Sequence, residues 1–230
     1  MAPAVNWHLD VLPPEQRDLW EHRLRRGFPG FVLYDGTALA LRLGHRKSVD
    51  FDFFSSRAFA PLDFKEHNAL EGEILQAGEN TLTILHHGVR LSFFGGLSLG
   101  VVAPPDDFDT CPVASLEDLG ACKLAALVNR VECKDYLDIA ALLRHGASLA
   151  HLLGCANAVY RGEFPVTVCL KVWSGSTHPS CRPCRRKIAK FSKLPRSRSM
   201  KSLSSRCKHR ALPQISARRK SNPGRFVMWK

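Results

Sequence analysis

An α+β fold is what the sequence predicts for most of this chain, on three observations. Segments of strand character gather before Phe94, segments of helical period gather between Ser115 and Tyr160, and the composition turns abruptly at Trp173. Strands followed by helices, rather than alternating with them, are the order of an α+β domain. The expected architecture is a small mixed sheet with flanking helices, a helical second half and a basic, disordered tail. The expected domain runs over residues 1–165 and the tail over 166–230.

Each element has its own signal. Pro13 and Pro14 followed by Glu15, with Trp20 and Leu24 on one face, predict a helix that opens at the prolines and stops at Gly27. Residues 31–34 read as a short buried strand, 37–43 as a short apolar helix and 49–54 as the next strand, forming one strand–helix–strand unit. A helix is expected over 61–70. Strands at 73–76, 81–86 and 89–94 follow, separated by turn signals at Gly78-Glu79-Asn80 and at Gly88. Ser115-Leu116-Glu117-Asp118 is a capping-box pattern, opening a helix with Leu119, Cys122, Leu124, Leu127 and Val128 and carrying Lys123. A second helix at 132–144 has Tyr136, Ile139, Leu142 and Leu143 for its core face and ends before Gly146; a third runs over 148–160.

The chemistry concentrates in residues 34–54, which read YDGTALALRLGHRKSVDFDFF. Side chains alternate along a strand, so Asp50 and Asp52 share one face while Phe51 and Phe53 share the other. Two adjacent carboxylates repel unless a cation lies between them, and Mg²⁺ is the usual cation where a phosphate is also bound. Gly36 and Thr37 begin the helix, whose free N–H groups and partial positive charge suit that phosphate. Further along, Asp135 and Asp138 lie one helical turn apart, and Lys123, on the preceding antiparallel helix, is within reach of the same pocket. An ordinary solvated helix face is the other reading of this charge cluster.

A Gly-(Ser/Thr) turn, a short helix and then Ser-x-Asp-x-Asp on a strand resembles the signature of the nucleotidyltransferase superfamily. Gly36-Thr37-Ala38-Leu39-Ala40-Leu41 and Gly44-His45-Arg46-Lys47-Ser48-Val49-Asp50-Phe51-Asp52 resemble the AbiEii/AbiGii toxin family in particular, and the resemblance extends over residues 15–165. Lys123 followed by Lys134-Asp135-Tyr136-Leu137-Asp138 resembles that family's later motif. The resemblance implies a Mg²⁺-dependent transferase that takes an NTP, the toxin of an abortive-infection toxin–antitoxin pair active in phage defence. It further implies a cognate antitoxin and an RNA acceptor, tRNA in some relatives, or a protein acceptor. By the same likeness Asp50 and Asp52 hold metal and are catalytic. Gly36, Thr37, Ser48 and Lys123 bind the nucleotide, and Lys123 and Asp135 are catalytic too, Lys123 on the triphosphate oxygens and Asp135 on the incoming nucleophile or in support of the metal. Two positions depart from the pattern. Asp35 stands where the family commonly has a second glycine and would repel a phosphate unless it turns away. Ser92 stands where the superfamily has a third carboxylate.

Bulk properties narrow the class. Of 33 Lys and Arg, 17 lie beyond Trp173, where none of the 21 Asp and Glu are found, so the body is net −5 and the tail +17. The overall basicity therefore belongs to the tail and says nothing of the pocket. No apolar run is long enough for a membrane span or a signal peptide, and a cytoplasmic protein without membrane contact is expected. The eight cysteines read as reduced thiols. Cys181, Cys184, Cys207 and His209 have only a loose likeness to a zinc ribbon. Three other readings stand beside the transferase: a phosphohydrolase with Asp50 as nucleophile, an inactive toxin remnant, and a basic RNA-binding protein. The polar run His45-Arg46-Lys47-Ser48 disfavours the phosphohydrolase, and a change of reading frame near Val172 would favour the remnant over a natural basic tail.

Overall fold

The computed structural model describes residues 5–130 and 132–174. Helix α1 spans Pro14–His22 with Pro14 in its first turn, where a missing N–H costs nothing, and a 3-10 turn at Leu24–Arg26 leads to Gly27. Strand β1 (Val32–Tyr34), helix α2 (Asp35–Leu43) and strand β2 (Asp50–Phe54) form the expected strand–helix–strand unit. Helix α3 (Pro61–His67) and strands β3 (Glu73–Gly78), β4 (Thr81–His86) and β5 (Val89–Phe94) follow, then β6 (Asp106–Phe108) and β7 (Cys111–Val113). The second half is helical: α4 (Leu116–Asn129), α5 (Cys133–Arg144), α6 (Leu149–Val159) and α7 (Val166–Ser174).

The strands make one seven-stranded mixed sheet in the order β3-β4-β5-β2-β1-β7-β6. It is larger than the sequence suggests, because β6 and β7 are three-residue strands with no readable alternation. Strand β2 sits near the middle, antiparallel to β1 and parallel to β5, with Asp52 opposite both Tyr34 and Ser92. One face of this region carries Phe51, Phe53, Leu91 and Phe93, all buried. Trp20 stacks near Phe51 and Phe28 meets Phe53 and Phe93 edge-on, so α1 and its neighbours close that face with aromatic packing. The opposite face carries Asp50 and Asp52, and on that side α2 packs against α4 and α5.

Helix α2 is buried from Gly36 to Arg42, which is why its sequence is small and apolar. It ends at Gly44, whose left-handed backbone (φ 60°, ψ 20°) returns its N–H to the Ala40 carbonyl. Helix α4 begins as predicted: Ser115 Oγ accepts from the Asp118 N–H at 3.1 Å and donates to the Asp118 carboxylate at 2.7 Å. Helix α7 corrects the expected boundary at residue 165. It seats Cys169 and Trp173 in the core, with Trp173 stacked on Tyr136, and Tyr136 Oη donates to the Val172 carbonyl at 3.1 Å. The basic tail beyond Ser174 and the Cys181, Cys184, Cys207, His209 set lie outside the described residues. Among the described residues no disulfide joins the cysteines and no single helix is long and apolar enough to cross a membrane.

Candidate active site

Strand alternation puts Asp50 and Asp52 together on the α2 side of the sheet. Asp50 is one-third exposed and lies 3.4 Å from Arg90 Nε, its neighbour across the parallel β2–β5 ladder. Asp52 lies deeper, opposite Ser92, which hydrogen-bonds its carboxylate. Burial, then the charges of Asp35 and Asp50, push the Asp52 carboxyl up to about 7. Crowded carboxylates with a raised proton affinity are a donor set whose repulsion a divalent cation relieves. Mg²⁺ is commonly bound by one or two carboxylates together with substrate phosphates and water. The pair therefore fits Mg²⁺, with Asp50 and Asp52 as the residues that would hold it.

Gly36 and Thr37 occupy the first turn of α2. A Cβ on Gly36 would come within 2.6 Å of Arg46 Nη2 and 3.2 Å of Ser48 Oγ, so glycine is required by the close approach of the loop after α2. The hydroxyls of Thr37 and Ser48 are hydrogen-bonded at 2.9 Å, and Thr37 Oγ1 also donates to the Asp50 carbonyl. Both are buried. These two hydroxyls tie the start of α2 to the entrance of β2, leaving backbone N–H groups as what this turn offers an anion.

Lys123 is 1% exposed, and that excludes the solvated-face reading. Its ammonium is paired with Asp35, with Asp138 at 3.0 Å and with Asp135 at 3.4 Å. Burial favours loss of the lysine's proton, but the charges of Asp35, Asp138 and Asp135 outweigh it and hold the pKa above lysine's ordinary value. Asp138 is gripped by Arg46 through both oxygens, at 2.6 and 2.9 Å, and by His45 Nε2 at 2.8 Å. Burial alone would raise the Asp138 pKa; hydrogen bonds from Arg46 and His45, with the Lys123 charge, bring it well below the carboxylate range. Asp135 is fully buried and lies 3.2 Å from Arg130 Nε as well as against Lys123. Asp135 is thus paired with two cations in the ligand-free protein.

Sequence reasoning missed Arg46. It lies over Gly36 and bridges to α5, and the signal available was the glycine itself, since a guanidinium packed against the first turn of α2 leaves no room for a side chain there. Asp35 is ion-paired with Lys123 and has a left-handed backbone conformation (φ 57°), the region that favours glycine. A cavity of about 650 Å³ lined by Leu19, His22, Leu70, His87, Val89 and Leu91 opens on the opposite, Phe51 side of the sheet and has no part in this cluster.

A central strand with two like-facing carboxylates, met by the N-terminus of the helix that precedes it, defines a nucleotidyltransferase-like α+β fold. Residues 96–170, which include Lys123, Asp135 and Asp138, match the model of the nucleotidyl transferase AbiEii toxin family, type IV toxin–antitoxin system. An uncharacterized protein of Aquifex aeolicus (strain VF5) is 31% identical over 165 residues, covering 68% of this chain and 80% of its own. The chain belongs to the AbiEii nucleotidyl transferase toxin family, and membership implies a cognate antitoxin.

Proposed function

We propose that this protein transfers a nucleotide from an NTP to an RNA acceptor in the cytoplasm, as the toxin of an abortive-infection toxin–antitoxin pair. The observation that carries the reading is the Asp50/Asp52 pair facing the N-terminus of α2, with a lysine and an arginine held at its border. The N–H groups of Gly36 and Thr37 take phosphate oxygens, and Arg46 and Lys123 supply positive charge beside them. Asp50 and Asp52 would hold Mg²⁺, which would supply positive charge to the triphosphate and Lewis-acid polarisation of the reacting phosphoryl group. The acceptor oxygen bonds to the α-phosphorus in line as the bond to pyrophosphate breaks; pyrophosphate keeps the electron pair and the acceptor's proton is lost to solvent. The 17 basic residues beyond Trp173 favour a polyanionic acceptor over a protein one.

The test is incubation of the protein with each labelled NTP, Mg²⁺ and total RNA. Label appearing in RNA, lost by about a hundredfold or more in Asp50→Asn and Asp52→Asn variants that still fold, is the expected result. Label in protein instead would replace the acceptor, and no label in either would remove the transferase reading. Divalent-ion binding by calorimetry, reduced in the same two variants, tests the metal assignment separately from turnover.

A further inference from the structure

Lys123 lies close enough to the strand carboxylates for its charge to act on Asp52, yet a carboxylate of this chain, Asp35, is already on it. We infer that Asp35 is an internal stand-in for a nucleotide phosphate, and that nucleotide binding exchanges Asp35 for a phosphate oxygen on Lys123. The inference rests on the nucleotidyltransferase reading and deepens it.

The three carboxylates around Lys123 are not equivalent. Asp138 is fully buried and held by Arg46 through both oxygens as well as by His45. Asp135 is fully buried and has Arg130. Each thus has an arginine besides Lys123, Arg130 being shared with Glu132, and keeps a cationic partner if Lys123 turns elsewhere. Asp35 is different: it is about one-third exposed (31%), and the ion pair described for it is with Lys123. With Asp35 in place the Lys123 charge is matched from the pocket side. With Asp35 swung out, one positive charge is left facing the pocket, which is the complement of a phosphate oxygen.

Position and backbone point the same way. Asp35 is the first residue of α2, directly before Gly36 and Thr37, so its carboxylate sits at the edge of the turn that would cradle the phosphate. Its backbone is in the left-handed region at φ 57°, which an aspartate adopts less readily than glycine. Its charge is also directed at Asp52. A group held in a less favoured conformation, repelled from one side and attached from the other through Lys123, is suited to displacement by a stronger anion.

The experiment is a double-mutant cycle on the full chain, reading affinities for ATP, GTP, CTP and UTP with Mg²⁺ by calorimetry in wild type, Asp35→Asn, Lys123→Ala and the double variant. Asp35→Asn is expected to tighten binding by at least about tenfold over wild type. That gain should vanish in the Lys123→Ala background, because Asp35 acts by occupying Lys123. An equal gain in both backgrounds would make Asp35 a general repulsive charge and overturn the exchange. Unchanged or weaker binding by Asp35→Asn, with wild type binding normally, would overturn it while leaving the transferase reading intact. No binding by wild type or by Asp35→Asn would overturn both. Asp35→Gly, which suits the left-handed backbone, is the second variant; if it and Asp35→Asn both lose the native thermal transition, Asp35 is a structural clamp and the exchange is refuted.

Discussion

Arg46 on the loop after α2 closes on both carboxylate oxygens of Asp138 on α5, at 2.6 and 2.9 Å, across a sequence separation of 92 residues. This fork joins the strand half of the protein to its helical half at the border of the candidate site. Asp138 is fully buried, so its removal leaves Arg46 and the buried Lys123 without a shared counter-charge. Asp138→Asn should lower unfolding stability by about 3–5 kcal/mol, the usual cost of breaking a buried pair from one side. Urea unfolding measures it. A loss under about 1 kcal/mol would show that water or Asp135 takes over the role.

Gly36→Ala reverses a familiar expectation. In a helix, alanine normally stabilises relative to glycine. Here the new methyl group would stand 2.6 Å from Arg46 Nη2, and Arg46 cannot simply withdraw because Asp138 holds it. The variant is expected to be destabilised by about 1–3 kcal/mol, the cost of overpacking, and to bind NTP more weakly. A thermal melt at or above that of wild type would contradict the described position of Arg46.

Asp52 makes the stability of the ligand-free protein depend on pH with a definite sign. Its carboxyl is pushed up to about 7 by burial first and then by Asp35 and Asp50, whereas in an unfolded chain aspartate titrates at about 4. Between those values the folded state keeps a proton the unfolded state has lost, so this group's contribution to stability falls as pH rises from about 4 to about 7. Asp52→Asn removes that decline and should exceed wild type at pH 8 by on the order of 1 kcal/mol. Asp138 acts oppositely. Its depressed pKa gives stability that is present above the unfolded aspartate pKa and lost as pH falls through the folded one. Melting curves of wild type and Asp52→Asn from pH 4 to 8 decide the matter: parallel curves would refute the assignment.

Trp173 tests how far the folded body extends. It is 2% exposed and stacked on Tyr136, which neighbours Asp135. Trp173→Ala in the full chain should cost about 3–5 kcal/mol, as for other large buried aromatics. A change within about 0.5 kcal/mol would be the behaviour of a surface residue and would return the boundary to residue 165.

The parts of this structure that were legible in the sequence are those carried by local pattern. The α1 start at Pro14, the β1-α2-β2 unit, the hairpins of β3, β4 and β5 and the Ser115 cap each have their signal within a few neighbouring residues. Strands β6 and β7 have none: Asp106–Phe108 begins with two acids and Cys111–Val113 contains a proline. Helix α7 was hidden by the basic composition that begins at its end. In the site, Asp50 and Asp52 were legible because strand alternation alone fixes their common face. The environment of Lys123 was not, because a lysine on a helix ordinarily reaches water. What buries it comes from Asp35, Asp135 and Asp138, and only the last two show a local spacing. Asp35 read as an obstacle to phosphate because its partner lies on α4, out of sight of any window that contains both.

The charge cluster that unites α2, its following loop, α4 and α5 also sets an order of events during synthesis. Arg46 emerges from the ribosome long before Asp138, and Asp35 and Gly36 long before Lys123. A nascent chain that ends within α4 has the two strand aspartates and the glycine turn but no α5 to position Arg46 or to brace Lys123. Contacts this distant in the chain form late in folding. Synthesis would therefore complete the charge cluster around Lys123, and with it the border of the candidate site, only once α5 has cleared the exit tunnel.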